Sequence, residues 1–201
     1  ELKEVGPDAL IISDPCIFAI AREVLPEMEI HISTQANNTN YGTYLFWHGL
    51  GAKRVVSARE LSLQEIREIR DHIPEDLEIE TFVHGAMCIS YSGRCLLSNY
   101  LTGRDANQGA CTHPCRWKYA LMEETRPGEY MPVIENDRGT FIFNSKDLCM
   151  IEHLPDLLDA GVDSLKVEGR MKTALYAATV ARTYRKALDD LAARGIGMIH
   201  T

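Results

Sequence analysis

The chain has 201 residues and a formal net charge of −8, so its bulk charge does not predict nucleic-acid binding. Apolar residues make up 45% of the chain and charged residues 25%, as in an ordinary globular domain. The apolar runs are shorter than the roughly 18 residues that a membrane helix needs, which predicts no membrane span. The opening residues Glu1-Leu2-Lys3-Glu4 do not form an export signal, so we expect a cytoplasmic protein.

Short apolar runs alternate with amphipathic stretches, which predicts alternating strands and helices. Asp14-Pro15 marks the start of the first full helix, and Ser62 with Glu65 forms a capping-box pattern at a later one. The predicted strands cover residues 9–13, 29–33, 54–57, 77–83, 141–143 and 164–167. The predicted helices cover residues 16–25, 38–50, 63–73 and 173–193, and residues 1–5 are the end of a further helix.

The order strand, helix, strand with short links predicts a parallel sheet, and an open doubly wound sheet and a (β/α) barrel both fit. A complete eight-unit barrel needs about 250 residues, whereas we count roughly six units. We therefore expect an α/β fold in which residues 1–201 form one incomplete (β/α) TIM-like barrel without its N-terminal portion. Such a fragment could pair with a second copy through its open sheet edge.

Residues 86–140 interrupt this alternation, because they show no helical periodicity. Within and just beyond them, residues 117–124, 130–135 and 140–143 are predicted to form a small antiparallel meander, with a turn at Pro127-Gly128. We interpret residues 86–140 as an insertion after the fourth strand, at the end of the strand where barrels build their active sites.

Four cysteines crowd into 28 residues of this insertion, at Cys88, Cys95, Cys111 and Cys115. Structural zinc sites prefer closely paired cysteines, whereas iron–sulfur clusters need four thiolates and tolerate wider spacing. The spacing favours a metal or iron–sulfur centre, with unrelated buried thiols and disulfides as alternatives. Gly85 indicates a close approach of the backbone to a bulky group, or only a turn.

Several polar residues lie on or just after predicted strands, where the side chains of a barrel point at its active site. Lys166 and Glu168 are two residues apart on one strand and therefore face the same way. Such a pair suits substrate binding and proton transfer, and the alternative is an internal ion pair. Glu80 and His84 lie at the fourth strand, so the candidate catalytic residues are Glu80, His84, Lys166 and Glu168.

Further polar residues are candidates for substrate binding. Gln35 and Asn37 follow the second strand and suit hydrogen bonds to a base or an organic acid, or else they form a turn. Arg170 begins a helix, where it suits a phosphate or carboxylate, or else it is a surface arginine.

Positive charge and aromatic rings are mixed along the insertion, at Arg104, Arg116, Trp117, Lys118 and Tyr119. This mixture suits an RNA backbone held by Arg104 and Arg116, with a base stacked on a ring. The alternative is the aromatic core of the small meander, which we favour for Trp117.

The stretch from Glu80 to Cys88, together with Gly93-Arg94-Cys95-Leu96-Leu97-Ser98, resembles the signature of the collagenase-like peptidase family of unknown catalytic type, family U-thirty-two. The run from Asn99 to Gly109, with the residues from Cys111 to Tyr119, is similar to the tRNA hydroxylation subgroup of that family. Other similar stretches are residues 33–37, 53–56, 144–149 and 166–172, so the resemblance spans nearly the whole chain.

The resemblance implies a prephenate-dependent tRNA hydroxylase that places a hydroxyl group on C5 of the wobble uridine. It also implies a 4Fe–4S cluster, which aerobic purification can remove or replace with zinc, and an electron donor. Carried over by position, the cluster ligands are Cys88, Cys95, Cys111 and Cys149, with Cys115 as the alternative fourth ligand.

Two other functions compete with this one. A peptidase is the function that the family is named for, and a cysteine nucleophile paired with His84 or His113 would serve it. However, the chain has neither a His-Glu-x-x-His helix nor a Gly-x-Ser-x-Gly elbow. The third possibility is a non-catalytic module that binds RNA around a structural metal, which the acidic composition disfavours.

Overall fold

The computed structural model describes residues 2–88, 90–91, 94–117, 119–132, 135–136, 139–140, 147–170 and 172–195. The strands of its main sheet are β1 (Ala9–Ile12), β2 (Glu29–Ile32), β3 (Arg54–Val56), β4 (Glu78–Gly85), β9 (Leu148–Cys149) and β10 (Ser164–Val167). Five of them are parallel, in the order β1-β2-β3-β4-β10, and β9 pairs with the end of β4 in the antiparallel direction. The predicted parallel α/β sheet is therefore confirmed. The described strands leave this sheet open, so the barrel stays a prediction.

Helices connect the parallel strands, and side-chain caps mark the first residues of several of them. The Asp14 carboxylate accepts a hydrogen bond from the Ile17 N–H at 3.0 Å, and Ser62 with Glu65 completes a capping box. Asn40 caps the third helix, which therefore begins three residues later than predicted. The helices are α1 (Leu2–Val5), α2 (Pro15–Val24), α3 (Tyr41–Gly49), α4 (Leu63–His72), α5 (Leu97–Thr102), α6 (Leu154–Asp159) and α7 (Ala174–Ala193). Within the described ranges, none of the helices has the length and apolarity to cross a membrane.

The two faces of the sheet differ in chemistry. On one face, alternate strand residues such as Ile30, Val55 and Ile79 join buried residues of α2, α3, α4, α6 and α7 in a single apolar cluster. The opposite face carries charged side chains, among them Glu80 and Lys166. Apolar burial therefore holds the helices to one face and leaves the other for polar chemistry.

Residues 86–140, which we interpret as an insertion, begin where β4 ends at Gly85, and their local structure differs from the expectation. It contains α5, a helix of six residues that is too short to give a recognisable period. The meander is present as two antiparallel pairs rather than three strands: β5 (Ala120–Leu121) with β6 (Met131–Pro132), and β7 (Glu135–Asn136) with β8 (Gly139–Thr140). The predicted strand at residues 141–143 lies outside the described residues.

Candidate active site

A cavity of about 440 Å³ lies where the carboxyl ends of the parallel strands meet the insertion. This is the end of the sheet at which α/β proteins place their ligands. Its walls come from the segments after β2, β3, β4 and β10 and from the insertion. The volume is in the usual range for a small-molecule site.

Four cysteine thiols share this cavity. Cys88, Cys95, Cys111 and Cys115 all belong to its lining. Cys149 lies on β9 opposite His84, and the lining residues that the structure describes do not include it. Within the described ranges, no three His, Cys, Asp or Glu side chains are close enough to hold one metal ion. The four soft thiols around one cavity nevertheless match the donor set of an iron–sulfur cluster.

Hydrogen-bond donors approach two of these sulfur atoms. The Arg59 guanidinium lies 3.6 Å from the Cys88 Sγ, and the backbone N–H of His113 donates to the Cys111 Sγ at 3.4 Å. Burial raises the pKa of the Cys115 thiol, and the nearby sulfurs add to this effect, although Arg116 opposes it. Donors aimed at sulfur are a feature of iron–sulfur sites, so the surroundings of Cys88 and Cys111 fit a cluster, whereas the raised pKa of Cys115 disfavours its thiolate.

Arg59 has several partners at the cavity, and its side chain is only 8% exposed. Besides approaching Cys88, its guanidinium pairs with the Glu168 carboxylate and stacks 3.7 Å from the centre of the Phe82 ring. The ring of His113 lies 3.8 Å from the other Glu168 oxygen, and burial lowers the pKa of this histidine. Arg59 therefore links the cysteine insertion to the loop after β10.

A second ion-pair network covers the polar face of the sheet. The Lys166 ammonium donates to the Glu80 Oε1 at 2.6 Å, and Ser164 and Arg54 contact the Glu80 Oε2 at 3.0 and 3.3 Å. Burial alone would raise the pKa of Glu80, but Lys166, Ser164 and Arg54 outweigh it and lower the pKa. Lys166 lines the cavity. Glu80 is not among the lining residues, but its hydrogen bond positions the lysine. The internal ion pair that we considered for Lys166 is thus made with Glu80 and not with Glu168.

His84 points away from this cavity because β4 is irregular at its end. The pairing of β10 with β4 shifts register between Lys166 and Val167, so that one additional β4 residue precedes His84. The His84 ring then packs at 5.6 Å from the ring of Tyr184, with the two planes at 75°. Burial is the main reason that the pKa of Tyr184 is raised to about 12.

Asp147 fastens the insertion to α7. Its carboxylate accepts hydrogen bonds from Arg116 at 3.1 Å and from the Tyr176 hydroxyl at 2.9 Å, and it pairs with Lys172 at 2.7 Å. Arg116 also donates to the backbone oxygen of Met87 at 3.3 Å. Asp147 thereby holds the two segments that carry Cys88 and Cys115 against the same helix.

Some of the predicted binding residues line the cavity and others do not. Gln35, Arg116 and Arg170 line the cavity. Asn37 ends a 3₁₀ turn in the left-handed conformation with φ of 60°, so it is a turn residue. Arg104 is exposed outside the cavity lining, and Lys118 lies outside the described residues.

Arg59 and Asp147 were not among the predicted site residues. Arg59 follows β3 in the way that the predicted residues follow β2, β4 and β10, so the same strand-end rule would have found it. Asp147 belongs to a stretch that resembles the family, but its role depends on contacts with α7 that sequence order does not show.

Comparison with known proteins shows that the chain is similar to proteins named for RNA hydroxylation. It is 47% identical to "tRNA hydroxylation protein P" of Escherichia coli (strain K12), with 94% of this chain and 50% of that protein covered. It is 46% identical to "tRNA hydroxylation protein P1" of Bacillus subtilis (strain 168), with 94% and 44% covered. It is 37% identical to "23S rRNA 5-hydroxycytidine C2501 synthase" of Escherichia coli (strain K12), with 95% and 27% covered.

The chain thus spans about half the length of the tRNA hydroxylation proteins that it matches. A sequence profile described as "Peptidase family U32" matches residues 1–197, nearly the whole chain. The resemblance inferred from the cysteine signature is confirmed, and the chain belongs to peptidase family U32.

Proposed function

We propose that this chain is part of an enzyme that hydroxylates RNA, and specifically C5 of the wobble uridine of tRNA, with prephenate as the oxygen source. The observation that carries the proposal is the cavity that four thiols share with Lys166, Arg116 and Arg170. The names of the similar proteins support hydroxylation of RNA as the reaction class. A tRNA substrate also agrees with the predicted cytoplasmic location.

The charges of the cavity fit a small organic acid. Prephenate carries two carboxylates, and the ammonium of Lys166 and the guanidinium groups of Arg116 and Arg170 offer it cationic partners. Glu80 orients Lys166 by a hydrogen bond of 2.6 Å, so the lysine can bind an anion with little further ordering. Gln35 adds an uncharged hydrogen-bonding group to the cavity lining.

The target base must leave its stack to reach such a cavity, and the anticodon loop offers unpaired bases. Replacing the hydrogen on C5 with a hydroxyl removes two electrons from the base and releases a proton, so the oxygen source must also accept those two electrons. Glu168, held by Arg59 at the cavity wall, is positioned to accept the proton that leaves C5.

A 4Fe–4S cluster held by cysteine thiolates would supply the redox chemistry. Cys88, Cys95 and Cys111 are common to both ligand sets that we consider. The resemblance gives Cys149 as the fourth ligand, whereas Cys115 is the thiol that shares the cavity. An electron donor is a further expected partner.

The test is anaerobic purification, followed by iron and sulfide analysis and by mass spectrometry of the nucleosides from tRNA incubated with prephenate. We expect about four irons and four sulfides per chain, and 5-hydroxyuridine that Cys88→Ala abolishes. Comparing Cys115→Ala with Cys149→Ala identifies the fourth ligand, because only one should lower the iron content. Normal hydroxylation by folded Cys88→Ala protein would contradict the proposal.

The alternatives predict different results. In a peptidase with a cysteine nucleophile, a histidine would activate the thiol, but the rings of His84 and His113 face Tyr184 and Glu168. Cleavage of gelatin that a thiol-alkylating reagent blocks would favour the peptidase. RNA binding that survives metal removal, without hydroxylation, would favour the binding module.

We also propose that the five parallel strands are part of a larger (β/α) barrel. Their spatial order equals their chain order, and the cavity lies at their carboxyl ends, as in barrels. A structure of the complete protein in which β1 or β10 has no further strand beside it would contradict this proposal.

A further inference from the structure

Aromatic side chains are exposed mainly in the insertion. Among the described residues, Tyr91, Tyr100, Trp117 and Tyr130 of the insertion are exposed aromatics, and elsewhere only Tyr41 and Phe46 of α3 are. Tyr41 is stacked on His72, which gives it a partner within the fold. Exposed rings concentrated on one segment of a soluble protein indicate a binding surface.

Trp117 directly follows residues of the cavity wall. Arg116 and Pro114 line the cavity, and the Trp117 N–H donates to the Pro114 carbonyl at 3.0 Å. The indole is 48% exposed, whereas the other tryptophan, Trp47, is 6% exposed and donates to Asn38 in the core. Trp117 is therefore not buried in the aromatic core of the small meander, contrary to the prediction that we favoured.

The ring of Trp117 is supported from behind. It stacks on the Tyr119 ring with centroids 6.4 Å apart and planes at 21°, and the Tyr119 hydroxyl donates to the Pro114 carbonyl at 2.8 Å. Pro114 is fully buried, so both rings are fixed to a rigid point of the cavity wall. A ring that is held in place and open on one side loses little entropy when a ligand stacks on it.

The chemistry of the surroundings selects the ligand. Arg94 and Arg104 are exposed on the same insertion, and α5, which precedes Arg104, packs against the turn Pro114–Arg116. Aromatic rings combined with arginines are the pattern by which proteins hold single-stranded nucleic acid. The net charge of −8 confines such a site to a local surface like this one.

We propose that Trp117 stacks on an unpaired base of a single-stranded RNA loop and so holds that loop over the cavity. This inference rests on the proposed function, because it specifies how the RNA substrate is held. Stacking of a base on Trp117 does not require Cys115 or Arg116 to move, since the Trp117 side chain is already exposed.

Tryptophan fluorescence tests the inference, because Trp47 and Trp117 are the two tryptophans of the chain and only Trp117 is accessible. The probe is a stem-loop RNA with a tRNA anticodon sequence, compared with a blunt duplex of the same composition and without prephenate. We expect the loop RNA to quench Trp117. The anisotropy of a fluorescently labelled loop RNA should show that Trp117→Ala weakens binding about tenfold. Trp117→Phe should keep most of the affinity, because phenylalanine also offers a ring.

Phe46→Ala is the matched control, since Phe46 is 59% exposed on α3 outside the insertion. Equal affinities of the wild type and Trp117→Ala, an equal loss in Phe46→Ala, or no loop binding by the wild type would overturn the proposal. Unquenched Trp117 at saturating RNA would also overturn it and leave this surface to a protein partner. Binding through Trp117 without hydroxylation would refute the proposed reaction alone, so the two failures are distinguishable.

Discussion

Gly85 and Glu168 approach each other so closely that a side chain on Gly85 has no room. A Cβ at Gly85 would lie 2.9 Å from the Glu168 Cβ and still closer to the Glu168 carbonyl oxygen. The Glu168 N–H donates to the His84 carbonyl at 2.8 Å, which ties the ends of β4 and β10 together. The close approach at Gly85 is therefore made to the protein's own residue Glu168, whereas the sequence left open an approach to a bulky group or only a turn.

Gly85→Ala should destabilise the protein by about 3 kcal/mol, because φ of 121° is strained for alanine and the new Cβ collides with Glu168. Gly103→Ala is the matched control, since Gly103 has φ of 68° but no atom near its Cβ position, and about 1 kcal/mol is expected. Urea unfolding measures both. Equal losses would show that backbone strain, and not the contact with Glu168, determines the effect.

If the proposed function holds, Arg59→Lys should lower kcat/KM for the proposed hydroxylation of tRNA by about tenfold or more while the fold is retained. A lysine ammonium cannot contact Cys88 and Glu168 together in the planar geometry of a guanidinium. Nucleoside mass spectrometry over a tRNA concentration series measures the effect. Arg67→Lys is the control, because Arg67 is exposed on α4. A variant as active as the wild type would show that the Arg59 guanidinium does not contribute to the reaction.

The sequence predicted the order of the elements better than the directions of the side chains. Periodicity located β1 to β4, β10 and α7, because burial on one face imposes a regular pattern. The bulge that turns His84 toward Tyr184 leaves no such pattern, since it depends on pairing with β10. The exposure of Trp117 likewise depends on how the insertion packs, which composition does not specify.

The Glu80–Lys166 pair should make stability depend on pH. The pKa of Glu80 is lowered in the folded protein, so its stabilising contribution is complete at neutral pH and is lost as the pH falls through the folded-state pKa. Glu80→Gln should cost about 2 kcal/mol at pH 7 and progressively less below about pH 4. Urea unfolding across this range measures it, with the exposed Glu75→Gln as the control. A constant difference between the wild type and Glu80→Gln would contradict the assigned shift.

Asp147→Asn should loosen the insertion from α7. The amide loses the charge that attracts Arg116 and Lys172, and it retains one acceptor oxygen for their donors and the Tyr176 hydroxyl. The free energy of unfolding should fall by about 2 kcal/mol. Because Arg116 is then less tightly held, limited trypsin digestion should cleave the bond after Arg116 several-fold faster.

Asp190→Asn is the matched control for this substitution, since it removes a carboxylate from the exposed side of α7. Mass spectrometry of the fragments separates cleavage after Arg116 from general unfolding, because global opening would accelerate cleavage along the whole chain. Faster cleavage confined to the insertion would identify Asp147 as its anchor. An unchanged rate after Arg116 would mean that the backbone of Met87 and the packing of Pro114 are enough to hold this segment.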